Sequence, residues 1–98
     1  EAVALARHAA SLGVTAVSAL PPAGPYSFLE VKRYYEAIAA ASASPVLVYY
    51  FPEVSAVIGS LDQILELCEI PGVVGLKFTD FDLYKMSLIT RAGYTLFN

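Results

Sequence analysis

Lys77 falls inside the run Val73-Val74-Gly75-Leu76-Lys77-Phe78, near the C-terminal end of an apolar stretch that reads as a buried strand. A lysine is almost never fully buried without a partner or a task. Burial disfavours an ammonium ion, and the neutral amine it leaves is a nucleophile toward carbonyl carbon. Strand alternation puts Gly75 and Val73 on the face of Lys77, and Gly75 would leave open space beside the amine. The competing reading is an edge-strand lysine that snorkels to water, and the pattern alone leaves both open.

Tyr49 is the second candidate. It lies late in Val46-Leu47-Val48-Tyr49-Tyr50-Phe51, sharing a face with Leu47 and Phe51, while Tyr50 must point the other way. A phenol beside a reacting amine can pass a proton or hold a carboxylate; tyrosine is equally a common packing residue of strands. Thr79 follows the lysine strand at its C-terminal end, where it can meet a substrate or cap the next helix. His8 reads as an exposed helix residue and Cys68 as a small buried hydrophobe. Lys85, on a following helix, reads as an ordinary solvated lysine. Asp80, Asp82, Glu66 and Glu69 lack the spacing of metal ligands and read as helix-end charges and solvated faces. Neither a phosphate-binding glycine loop nor a nucleophile elbow is present.

The elements that position these groups alternate. Residues 1–12 place Leu5, Ala9 and Leu12 on one helical face, and Gly13 ends that helix. Residues 14–20 read as a strand closed by Pro21-Pro22. Ser27 and Glu30 form a capping box for a helix whose apolar face is Val31, Tyr34, Tyr35 and Ile38. The strand 46–51 stops at Pro52. After Gly59, Ser60 and Gln63 repeat the capping box, with Leu61, Ile64, Leu65 and Cys68 inward. Pro71-Gly72 precedes the strand 73–78. Asp80 or Asp82 caps a fourth helix to about Thr90, with Leu83 and Met86 inward, and residues 94–98 open a fourth strand. Such αβαβαβαβ order implies right-handed crossovers and a parallel sheet. The strands are near-continuous apolar runs, as expected when both faces are covered. Strand spacing suits an eight-unit barrel, and periodicity alone does not separate that from a doubly wound sheet.

Composition points to a part of something larger. Hydrophobic residues make up 57% of the 98 and charged residues 15%, too few polar groups to coat a small autonomous domain. The expectation is therefore an α/β chain, residues 1–98, forming about half of a (β/α)8 barrel and incomplete at both ends. The net charge of −3, with no Lys/Arg cluster, argues against a nucleic-acid partner. No run is long enough for a membrane span. A single cysteine is compatible with a reducing, cytoplasmic setting.

Two motifs in order, Y-x-x-P at Tyr49 to Pro52 and G-[LI]-K at Gly75 to Lys77, resemble those of the N-acetylneuraminate lyase and dihydrodipicolinate synthase group of class I aldolases. The similarity extends to the opening run 5–22 and so covers essentially the whole chain. The resemblance implies a (β/α)8 barrel, usually a homotetramer, acting on a small 2-oxo acid such as pyruvate or sialic acid. By carry-over, Lys77 forms the Schiff base, Tyr49 holds the carboxylate and relays the proton, and Thr79 contacts the remaining substrate. No metal or organic cofactor is implied, because the imine does the polarising. The K-F-T…D-L-Y form, Lys77 to Tyr84, leans toward the sialic acid lyase branch. Another pyruvate-dependent aldolase, or a non-catalytic binding relative, is the alternative. The loop Pro21-Pro22-Ala23-Gly24-Pro25 departs from the family by lacking an aromatic pair, which weakens the synthase reading unless Tyr26 substitutes. The family's carboxylate-binding Gly/Ser/Thr loop would precede Glu1 and its polar G-x-D-E loop would follow Asn98.

Overall fold

Both capping boxes form as the residue spacing dictates. Ser27 Oγ accepts from Glu30 N at 3.2 Å while Ser27 N donates to Glu30 Oε1 at 2.9 Å, and Ser60 and Gln63 repeat the exchange. Each pair satisfies two amides that a helix start leaves without partners. These helices belong to a computed structural model that describes residues 1–22, 24–51, 58, 60–79 and 82–97. The element order is α1 (Ala2–Ser11), β1 (Val17–Ala19), α2 (Phe28–Ala41), β2 (Val46–Tyr50), α3 (Leu61–Cys68), β3 (Val73–Phe78), α4 (Leu83–Arg91) and β4 (Thr95–Phe97). Gly13 and Gly72 end α1 and the α3 turn at φ of 74° and 97°, a region that favours glycine. Pro52, Gly59 and Asp80 lie outside the described residues. The fourth helix is capped by Asp82, whose Oδ1 accepts from Lys85 N at 3.0 Å.

The strands pair in parallel and in sequential order, β1-β2-β3-β4. A doubly wound sheet reverses strand order at a switch point and carries helices on both faces. Here one buried cluster draws on Ala6, Ile38, Ile64 and Ile89, one from each helix, and on Val48, Tyr50, Leu76 and Phe78 from one face of the sheet. Leu47 is buried but stands apart from that cluster, on the opposite face. Helices on one side of a sequential parallel arc are the geometry of a barrel wall, so the chain is a fragment of a (β/α)8 barrel.

Several inward assignments shift. In α3 the buried set is Ile64, Leu67 and Cys68, with Leu65 only half-buried, because the packed stripe centres one residue beyond the expected one. In α4, Leu83 is 74% exposed and Ile89 carries the burial. In α1 only Ala6 is buried, and Leu5 and Leu12 stay exposed beside the open side of β1. Strand β1 is also shorter than expected. Val14 to Ala16 make no ladder, and pairing starts at Val17, whose N donates to Pro45 O. Among the described residues no helix is long and apolar enough to cross a membrane.

Candidate functional site

β3 is an interior strand, paired to β2 on one side and β4 on the other, so Lys77 is not an edge-strand lysine. It lies opposite Tyr49 on β2 and Phe97 on β4, which places all three on the face turned away from the helices. The lysine is half-buried, and its Nζ sits 4.5 Å from the centre of the Tyr49 ring. A cation over a phenol face gains from the ring quadrupole. Tyr49 is itself stacked on Phe51, with centroids 6.1 Å apart and planes 15° from parallel. Among the described residues no carboxylate pairs with Lys77; the ion pair seen is the remote Lys32–Glu66 contact at 2.9 Å. Among the described residues the amine therefore rests on an aromatic surface.

Two expectations about the surroundings of Lys77 are corrected. Val73 does not share its face. The ladder pairs Val46 with Val73 and Leu47 with Gly75, so Val74 is an extra residue and the register shifts there. The bulge turns Val73 into the helix-side core. Nor does Gly75 leave open space. A Cβ built on it would meet the Thr95 backbone, 2.6 Å from the carbonyl carbon and 2.7 Å from the nitrogen. The missing side chain lets β4 lie close against β3.

Thr79 is half-buried and two residues past Lys77. It is not the helix cap. Its Oγ1 and its N both donate to the carbonyl of Tyr50, at 2.6 and 3.1 Å, which ties the ends of β2 and β3 together. Tyr50 points to the other side of the sheet, as alternation requires, and packs on Phe78 at 5.1 Å. The structure thus gathers Lys77, Tyr49 and Thr79 at the C-terminal end of adjacent strands, where barrel enzymes build their sites.

Residue spacing missed two supports. Tyr35, fully buried on α2, donates from its hydroxyl to Ala19 O at 2.8 Å and holds the end of β1; burial raises its phenol above the usual range. Lys85 is half-buried and reaches Tyr50 Oη at 3.1 Å, so it is not the solvated lysine expected. A lysine in a helix's first turn, where acids are favoured, was the available signal. Cys68 is buried as expected, and burial pushes its thiol up to about 12. His8 is exposed. Among the described residues no group of three His, Cys, Asp or Glu is placed to hold a metal.

A groove of about 630 Å³ lies away from this face, between α1, β1 and α2, lined by residues such as Leu5, Leu12, Leu20 and Tyr34. It offers no amine or carboxylate, so it is a poor place for carbonyl chemistry. Lys77, Tyr49 and Thr79 lie instead at the end of a four-stranded parallel sheet, on and beside the face turned from the helices.

A sequence profile described as the dihydrodipicolinate synthetase family matches residues 1–97. An N-acetylneuraminate lyase of Histophilus somni is 38% identical over 93 residues, 94% of this chain and 32% of that protein. A catalytic-lysine mutant of Ruminococcus gnavus sialic acid aldolase superposes with a TM-score of 0.86 at 28% identity, covering 98% of this chain and 33% of that one. A dihydrodipicolinate synthase of Acinetobacter baumannii, complexed with pyruvate, gives 0.79 at 28% identity, with 92% and 31% covered. The chain spans about a third of the length of these relatives.

Proposed function

The chain belongs to the dihydrodipicolinate synthetase family, and from that premise we propose that it supplies the nucleophile strand of a lyase that cleaves a 2-oxo acid. The substrate we infer is N-acetylneuraminate, released as N-acetylmannosamine and pyruvate. The observation that carries this reading is the half-buried Lys77 on an interior strand, directly opposite Tyr49. The N-acetylneuraminate lyase relatives support the choice of substrate.

Each step has a group on this chain. Once it has given up its proton, the Lys77 amine adds to the C2 carbonyl, and loss of water gives the protonated imine. Tyr49, as the base, removes the proton from the C4 hydroxyl. The C3–C4 bond breaks, its electron pair moves into the imine to form an enamine, and C4 leaves as an aldehyde. Tyr49 then returns that proton to C3, and water adds to the regenerated imine, releasing pyruvate and restoring the amine. Thr79, with its own hydroxyl proton given to Tyr50 O, offers an oxygen lone pair to a donor group of the substrate. The imine supplies the electron sink, so the scheme uses no metal or organic cofactor. We also propose that the full-length protein is a homotetramer, as the resemblance of its motifs implies.

The test is imine trapping in a full-length protein that carries this segment. Incubation with pyruvate and borohydride should add a reduced pyruvyl group to Lys77, with Lys32 and Lys85 unmodified. Lys77→Arg keeps the charge but forms no imine, so cleavage should vanish while folding largely survives. Absence of an adduct, or an adduct on another lysine, would remove the mechanism. Product analysis separates the lyase from a synthase-type condensation.

A further inference from the structure

Lys85 occupies the first turn of α4, three residues after the Asp82 cap. The aligned peptide dipoles disfavour a cation there. The side chain is nonetheless drawn inward and half-buried. Its Nζ donates to Tyr50 Oη at 3.1 Å and lies 5.4 Å from the centre of the same ring. Tyr50 is 2% exposed, is wedged against Phe78, and receives both Thr79 donors on its carbonyl. A continuous set of contacts therefore runs from α4, through the Tyr50 side chain, to the backbone that follows Tyr49 and fixes Thr79.

We propose that Lys85 is a positioning residue, which anchors Tyr50 so that Tyr49 and Thr79 are held in register with a substrate bound to Lys77. The inference rests on the imine reading of Lys77 given above. Its selectivity follows from the topology. Lys77 is carried by β3, which is paired on both sides, and does not depend on the Tyr50 hydroxyl for its place. Tyr49 and Thr79 share the Tyr50 peptide as neighbour or acceptor, so loosening Tyr50 moves them first. Loss of the anchor should thus slow C–C cleavage and leave imine formation intact, since misplacement by an ångström of groups acting in the transition state is costly.

The test uses a full-length protein carrying this segment and two readouts, kcat for cleavage of N-acetylneuraminate and the rate of borohydride trapping with pyruvate. Lys85→Met should lower kcat by about tenfold with trapping unchanged. Tyr50→Phe, which keeps the buried ring and removes the hydroxyl acceptor, should give a similar loss and guards against a folding defect in the first variant. The double variant should lose less than the product of the two single losses, because the two groups share a contact. Lys85→Arg, which retains a donor, should recover most of the activity. Wild-type kcat in Lys85→Met, losses that multiply in the double variant, or trapping that falls in step with cleavage would each overturn the proposal. Failure of the unmodified protein to trap pyruvate would instead overturn the function assigned to Lys77.

Discussion

At Tyr49 the ring lies beneath the Lys77 amine, whereas the Tyr50 ring enters the helix layer and takes Lys85. Two adjacent tyrosines thus serve opposite faces, and their substitutions should differ in kind. Tyr49→Phe keeps the stack on Phe51 and removes the proposed proton carrier, so kcat should fall by roughly 10²–10⁴-fold with little change in thermal stability. Steady-state kinetics beside a melting curve checks both parts. Cys68 gives a second measurement at this scale. Burial pushes its thiol up and leaves very little thiolate at pH 8, so it should react with a disulfide reagent far more slowly than an unfolded thiol. Rapid modification in the native protein would mean that α3 is not packed as described.

At the scale of elements, β3 is shaped by two local features with separate effects. The extra residue Val74 sends Val73 into the core, and the missing Cβ at Gly75 admits the backbone of β4. Gly75→Ala forces a methyl into the Thr95 peptide, a backbone obstacle that no side-chain rotation relieves. It should cost about 2 kcal/mol or more and expose the amides of β4, as read by denaturant unfolding and hydrogen exchange. The helix starts are less severe tests. Ser27→Ala removes the acceptor for Glu30 N and should cost about 1 kcal/mol, seen as a lower denaturation midpoint. The loop-side tie from Tyr35 to Ala19 fixes where α2 meets β1, a contact across the layer that no periodic pattern encodes.

At the scale of the molecule, β1 and β4 are the edge strands among the described residues, and an apolar groove lies beside β1. Leu5, Leu12 and Leu20 at that groove and Phe97 on β4 remain exposed. Unpaired parallel edges next to apolar surface invite association. The isolated 98 residues should therefore bind a hydrophobic dye and elute larger than a monomer in size-exclusion chromatography. A sharp, reversible, dye-free monomeric transition would contradict this. Relatives three times as long have the additional chain with which to close such a sheet.

Local chemistry determined a good part of this protein. Capping boxes and glycine stops depend on neighbours three or four residues away, so Ser27, Ser60 and Gly13 marked helix ends correctly from the amino-acid sequence. Period-two alternation likewise separated Tyr49 from Tyr50, and an apolar run made Lys77 conspicuous. The tertiary structure alone decided the rest. Strand order, which favoured a barrel arc over a doubly wound sheet, is a property of pairing between distant segments. The bulge at Val74 is fixed by registry with β2, and the demand for glycine at 75 comes from a strand twenty residues away in the chain. Lys85 looked solvated because helical position reports only its own helix, while its partner Tyr50 lies 35 residues back across the layer.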